Sequence, residues 1–260
     1  MLSEQIRIDL LGTLEVGFTS RMTTGRRSVI TAAKLRQMLA MLAANTNTMV
    51  SMEQLIDELW PCSPPSSVKT IVQTYVYQVR KLFREAPRSA NGTTLLVTRP
   101  GGYLLTVPRD NVDVFRFQHL LGRGLTALRL GRPDHASELL REALALWRGP
   151  ALADVTAGPH LQGLSVYLEE QRLEAVSARI EADLATDRCG ELVGELRRLV
   201  ADHPLNESFH IRLMQALHRS GRRGDALTVY HRLRAVLDRD LGIGPSAEAR
   251  EVQQEILRSG

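Results

Sequence analysis

Residues 67–86 read "SVKTIVQTYVYQVRKLFREA", and the reading of this stretch decides the fold of the first half of the chain. A helix advances about 100° per residue. On that projection Val68, Ile71, Val72, Tyr75, Val76, Val79, Leu82 and Phe83 fall on one side. Thr70, Gln73, Thr74, Tyr77, Arg80, Lys81 and Arg84 gather on the other, with Lys69 and Gln78 at the margins. The apolar side can anchor a long helix on its neighbours. The polar side is close to what a major groove demands. Arginine and lysine donate to guanine O6 and N7, glutamine pairs with adenine, and threonine offers a hydroxyl or a methyl.

The flanks agree with a DNA-reading helix. Upstream, "PCSPPS" at 61–66 contains prolines that forbid helix continuation, so it is a loop between two helices. Before it, Ser51 with Gln54 three residues on forms a capping-box pattern. Leu55, Ile56, Leu59 and Trp60 supply that helix's apolar side. Earlier still, "AAKLRQMLAMLAAN" keeps helical period, with Thr31 as its N-cap, and "NTNT" ends it. "IRIDLLGTLEV" reads as two short strands around a turn, and "TTGRRSVI" as a loop entering another short strand. Downstream, "TLLVTRPGGYLLTV" reads as strand, glycine turn, strand. Strands, three helices and a hairpin within about 108 residues make a winged helix-turn-helix.

Charge follows the same division. Residues 1–107 hold twelve basic and seven acidic side chains, whereas the remainder is nearly balanced. Between Ser66 and Tyr103, Lys69, Arg80, Lys81, Arg84, Arg88 and Arg99 face Glu85 alone. A surplus confined to one segment is what a surface facing a polyanion needs. Base-reading candidates are therefore Thr70, Gln73, Thr74, Tyr77, and Arg80 or Lys81. Backbone candidates are Lys69, Arg84 and Arg88, with Arg99 in the hairpin. Gly101 and Gly102 permit the tight turn of a wing, and Tyr103 either packs on the helix or hydrogen-bonds to a phosphate.

Beyond residue 108 the pattern is wholly helical. Helices are expected near 114–129, 133–147, 159–186, 190–201, 206–220, 222–238 and 247–257, separated by short turns marked by glycine or proline. "ALHRSGRRGDALTVYHRL" resembles a tetratricopeptide unit, a helix and small turn leading to Ala226 in the next helix. The fold class is thus an α+β winged helix-turn-helix over 1–108, followed by an all-α tetratricopeptide-like helical domain over 109–260.

The chain is similar to the antibiotic regulatory proteins of the streptomycete type. The similarity rests on "VQTYVYQVRKLF" followed by "LLVTRPGGYLL", and further on "ASELLREALALWRGPALADV", "LEEQRLEAVSARIEADL" and "HPLNESFHIRLMQALHRSGRRGDALTVYHRLRAVLDRDLGIGPSAE". These are activators that join an OmpR-like winged helix to a bacterial transcriptional activator domain. The resemblance implies binding to promoter direct repeats as a head-to-tail homodimer and recruitment of RNA polymerase to a secondary-metabolite cluster. It assigns Thr70, Gln73, Thr74, Tyr77 and Lys81 to the major groove. It makes the loop Pro61, Cys62, Ser63, Pro64, Pro65 and Ser66 a contact for polymerase or sigma factor. With no receiver domain before the winged helix, phosphorelay control is not expected; with no Walker motif after the helices, the chain resembles the small, two-domain members of that family.

Other chemistry finds little support. "LGRGL" lies inside a helical pattern and is no dinucleotide loop, and no phosphate-binding "GxxxxGK" occurs. Glu169 and Glu170 read as a solvated pair, and His203, His210 and His218 do not form a metal-ligand pattern. Trp60 and Trp147 read as core or element-end anchors. Cys62 and Cys189 are too far apart in sequence for a motif. No cofactor or metal is expected, and neither is an enzyme. Lacking a long apolar run or a leader, the chain is expected in the cytoplasm, at the nucleoid, with no membrane partner. Two alternatives remain open: a protein-interaction module with a basic face, and a repressor acting by promoter occlusion.

Overall fold

Short alternating segments at the start of the chain pair into one sheet, and the hairpin after the basic helix closes another. The computed structural model describes residues 5–20, 23–28, 30–84, 95–186 and 189–259. Strands β1 (Gln5–Asp9), β2 (Glu15–Ser20) and β3 (Thr23–Ser28) form an antiparallel sheet in that order. Ile8 and Val16 are fully buried on β1 and β2. The third strand is "TTGRRS" itself, expected as a loop. Its place is set by backbone pairing of Val16 with Ser28 and Phe18 with Arg26, which apolar alternation could not reveal.

Three helices follow: α1 (Ala33–Ala44), α2 (Met52–Leu59) and α3 (Val68–Arg84). Thr31 is not the cap of α1. Ala32 occupies that position in extended conformation without a side-chain bond, and its carbonyl accepts from the N–H groups of Leu35 and Arg36. The capping box of α2 is present in full. Gln54 N–H donates to Ser51 Oγ at 3.1 Å and Ser51 N–H donates to Gln54 Oε1 at 2.9 Å. The second sheet has the order β4–β6–β5, from β4 (Met49–Ser51), β5 (Leu96–Arg99) and β6 (Gly102–Leu105), and α1, α2 and α3 pack on one another beside it.

The remaining helices are α4 (Asp113–Arg129), α5 (Pro133–Leu144), α6 (Pro159–Ala185), α7 (Cys189–Asp202), α8 (Glu207–Arg219), α9 (Arg223–Leu241) and α10 (Ala247–Arg258). The helical expectations hold within a few residues. The largest deviations are α5, which stops at Leu144, and α9, which runs on to Leu241. Contacts divide the chain into two units: Met1–Leu121 with Glu142–Leu173, and Gly122–Arg141 with Glu174–Gly260.

In the first unit, residues 145–158 lie along the β1–β2 turn. Arg148 N–H donates to Leu11 O, Leu152 N–H to Leu10 O and Ala153 N–H to Gly12 O, at 2.8–2.9 Å. Trp147 meets Phe117 edge-to-face at 5.3 Å and carries Arg172 over its ring, so it is an anchor as read. Glu169 and Glu170 keep solvent access, and Glu169 also accepts from Ala151 N–H at 2.9 Å. At the start of α4, Asp113 accepts from the N–H groups of Leu10 and Leu11 at 2.8–2.9 Å. Burial pushes its carboxyl up to about 6, against the opposing pull of those two N–H groups.

In the second unit, α8 packs against α7 and α9, and α10 lies against α8 and α9, the tetratricopeptide-like helix stacking. The turn after α8 uses Gly221 at φ 73°, and Ala226 is fully buried in α9. Leu196, Met214, Leu217 and Leu233 centre this core. His210 is buried with Nε2 3.0 Å from Pro204 O, in a packing role. Among the described residues no helix is long and apolar enough to cross a membrane, and no group of three or more His, Cys, Asp or Glu could hold a metal ion.

A buried charge network ties α5 to α6 in this unit. The side chain of Asp183 is 0% exposed; it accepts from Ser137 Oγ at 2.6 Å, Arg141 Nη2 at 2.8 Å and Arg179 Nη1 at 3.0 Å. Burial alone would raise its pKa, but these three donors outweigh it and hold the carboxyl below the usual range. A depressed native pKa contributes stability above the unfolded value and loses it as pH falls through the native one. Asp183→Asn is expected to destabilise the fold at neutral pH by about 1.5–3 kcal/mol, because it removes the charge that Arg141 and Arg179 share and leaves Arg179 only Glu195. Denaturant melts should show the gap to wild type narrowing once pH falls below about 4, where the unfolded chain's carboxyl takes up its proton, and closing as pH falls through the lower native value.

Candidate nucleic-acid interface

The segregation read from residues 67–86 is realised in α3. Val72, Val76, Val79 and Phe83 are buried, and Val68, Ile71, Tyr75 and Leu82 are half-buried. Each fully buried aliphatic or aromatic side chain contributes about 1.5–3 kcal/mol relative to exposure. Rolling the helix about its axis would forfeit several of these, so its opposite face is fixed outward. That face exposes Lys69, Thr70, Gln73, Thr74, Tyr77, Gln78, Lys81 and Arg84, none of them acidic. Tyr77 is 61% exposed, a large ring held in solvent at the middle of the face. The exposed Thr74 hydroxyl donates to Thr70 O at 2.9 Å, which uses its proton and leaves its oxygen to act as an acceptor. Lys81 and Arg84 lie in the last turn, where the helix dipole favours cations.

The helix enters from a loop anchored at both ends. Trp60, the C-cap residue of α2, stacks on Tyr75 of α3 with centroids 6.5 Å apart and planes 14° from parallel. Lys34 lies 5.8 Å from the Trp60 centroid and donates to Leu59 O. Between these anchors Pro61, Cys62, Ser63, Pro64 and Ser66 are exposed and Pro65 is half-buried; Pro65 O accepts from Val68 N–H to begin α3.

The wing is the β5–β6 hairpin. Arg99 pairs with Gly102 across a two-residue turn, Pro100–Gly101. Pro at the first central position and Gly101 at φ 83° at the second are the requirements of a type II turn. Gly102 answers a different need. A Cβ there would lie 2.2 Å from Val50 O, so close pairing with β4 excludes any side chain. Arg99 is exposed beside the turn, whereas Tyr103 is buried in the strand that pairs with both β4 and β5. Arg88 lies outside the described residues.

Arg80 stands apart from the other polar-face residues. Its Nε donates to Leu96 O at 3.0 Å and its Nη2 to Thr98 Oγ1 at 2.7 Å, so the guanidinium fastens α3 to β5. The geometry brings Thr70, Gln73, Thr74, Tyr77 and Lys81 onto one open face, and gives Arg80 a supporting position beside it. Sequence reasoning also passed over Glu58. It is fully buried near the end of α2, and its carboxylate accepts from Gly158 N–H at 2.6 Å, His160 N–H at 2.9 Å and Leu161 N–H at 3.2 Å. The available signal was an acid in the last turn of a helix, where the dipole disfavours it.

The chain matches two families in sequence order. Residues 26–105 match "Transcriptional regulatory protein, C terminal", and residues 112–257 match "Bacterial transcriptional activator domain". It is 43% identical to regulatory protein DnrI of Streptomyces peucetius over 88% of this chain and 85% of that one. It is 38% identical to transcriptional regulator RedD of Streptomyces coelicolor, over 97% and 70% of the two chains. Among solved structures, EmbR of Mycobacterium tuberculosis in complex with a low-affinity phosphopeptide superposes with a TM-score of 0.91 at 33% identity. That match covers 98% of this chain and 66% of the EmbR chain.

Arg80→Ala should leave base preference intact while weakening every duplex alike, since it frees the wing rather than removing a base contact. The lost charge-assisted bonds should also cost about 1.5–3 kcal/mol of stability. Competition gel shifts with scrambled sites, run beside denaturant melts, measure both effects.

Proposed function

The chain belongs to the antibiotic regulatory proteins of the streptomycete type, and from that premise we propose that it activates genes of a secondary-metabolite cluster by occupying direct repeats in their promoters. It is a DNA-binding transcriptional regulator rather than an enzyme. Two protomers sit head-to-tail on one face of the duplex, with repeats spaced by about one helical turn. Thr70, Gln73, Thr74, Tyr77 and Lys81 read base edges in the major groove. Lys69, Arg84, Arg88 and Arg99 hold phosphates, and Gly102 and Tyr103 shape the wing that carries Arg99. The loop from Pro61 to Ser66 meets RNA polymerase or its sigma factor. The winged helix of 1–108 supplies recognition, the helical region of 109–260 supplies activation, and the protein works at the nucleoid in the cytoplasm.

The observation that carries this reading is the open, acid-free face of α3, held outward by four buried side chains and flanked by an arginine-bearing wing. An acidic protein partner would need the cations of that face but not its amide and hydroxyls. Base recognition needs both.

Footprinting and gel shifts on promoter fragments at two salt concentrations separate these roles. Gln73→Ala should relax discrimination at its base pair by about 1–3 kcal/mol with little change in salt dependence. Arg84→Ala should weaken all sequences together and lower the slope of log K against log salt by about 0.9. Native affinity and selectivity in both variants would remove α3 from the interface. Occupancy that lowers transcription would favour the repressor.

A further inference from the structure

Glu58 is in the wrong place for its own helix. It sits in the last turn of α2, where the dipole opposes a negative charge, and it is 0% exposed. An isolated carboxylate in such a site would be strongly disfavoured. Among the described residues its charge is met by no cation. The donors are the Gly158, His160 and Leu161 N–H groups, with Gln37 Nε2 at 3.1 Å. Three of these four are the orphan N–H groups at the start of α6, and Pro159 between them has no N–H to offer. One side chain therefore caps a helix that begins a hundred residues later, at the end where a negative charge is favourable. The approach is close. A Cβ on Gly158 would lie 2.2 Å from Glu58 O, so only glycine lets the two backbones meet.

The same turn of α2 is clamped from the other side. Gln37 Nε2 donates to Glu58 O at 2.6 Å and Lys34 donates to Leu59 O. Two residues beyond Glu58 the chain enters the exposed loop 61–66. The DNA-facing side of α3, by contrast, is set by its own buried stripe. Glu58 thus fixes the end of α2 and the loop root against residues 158–161 without being needed to orient the reading face.

We propose that Glu58 is a positioning residue for activation: it locks the helix-turn-helix to the beginning of α6 so that the loop 61–66 and that part of the activator region present one rigid surface to the transcription machinery. This rests on the activator reading given above. Losing the lock leaves DNA occupancy intact and uncouples it from transcription.

The test uses the full chain on promoter DNA, measuring occupancy by footprint and transcripts by a single-round assay with purified RNA polymerase. Glu58→Gln retains the shape but cannot accept from three N–H groups with an amide. At saturating protein its affinity is expected within about threefold of wild type, with transcripts per occupied promoter reduced at least fivefold. Gly158→Ala, which leaves the carboxylate in place and forces the backbones apart, should give the same split and decides the matter if Glu58→Gln fails to fold. Transcripts per occupied promoter equal to wild type in the folded variant would overturn the proposal, as would occupancy and transcription falling in parallel. Wild-type protein that occupies the promoter without raising transcription would instead refute the activator reading itself.

Discussion

Burial of one stripe of α3 is the constraint on which the rest of the molecule depends. Val72, Val76, Val79 and Phe83 must be covered, and α1, α2 and β5 are elements that pack on α3. Once that packing is satisfied, threonine, glutamine, tyrosine and lysine have no freedom to turn inward. The exposed polar face is thus a by-product of the hydrophobic effect acting on its back. Specificity for a groove then needs only side chains of suitable length on a surface whose orientation is already set. The absence of acids on that surface also removes the repulsion that phosphate would exert.

Polar groups inside the protein act as fasteners between segments far apart in sequence. Asp113 gathers the N–H groups of the first turn, and Glu58 gathers those at the start of α6. In the second unit Asp183 gathers a serine and two arginines. Each is a carboxylate that burial would penalise, and each is matched by several donors. Hydrophobic contact is tolerant of small slips, whereas a carboxylate meeting two or three N–H groups is not. Such sites give the helices a single register where packing alone would accept neighbouring ones. Arg80 does the same for the wing, through one carbonyl and one hydroxyl of β5.

Much of the local structure was legible because its causes are local. The capping box at Ser51 and Gln54, the proline break after Trp60 and the proline–glycine turn before Gly102 act within a few residues of themselves. Helical period marked all ten α-helices among the described residues, since each must bury one side. The misses share one cause. "TTGRRS" has no apolar alternation and becomes a strand only because β2 offers it a backbone partner. Arg80 lies on the polar side by angle, yet Leu96 and Thr98 reach it first.

By itself the sequence determined which side of the second and third helices would be buried, where the chain must turn, and that the third helix carries amides, hydroxyls and cations without acids on its free side. These follow from residue period and backbone sterics, which do not need the rest of the fold. Only the tertiary structure decided which polar side chains remain free to meet a ligand and which are consumed in holding the protein together. A hydrogen bond requires a partner within about 3 Å, and for Glu58, Arg80 and Asp113 that partner comes from a part of the chain that spacing along the sequence gives no means to locate.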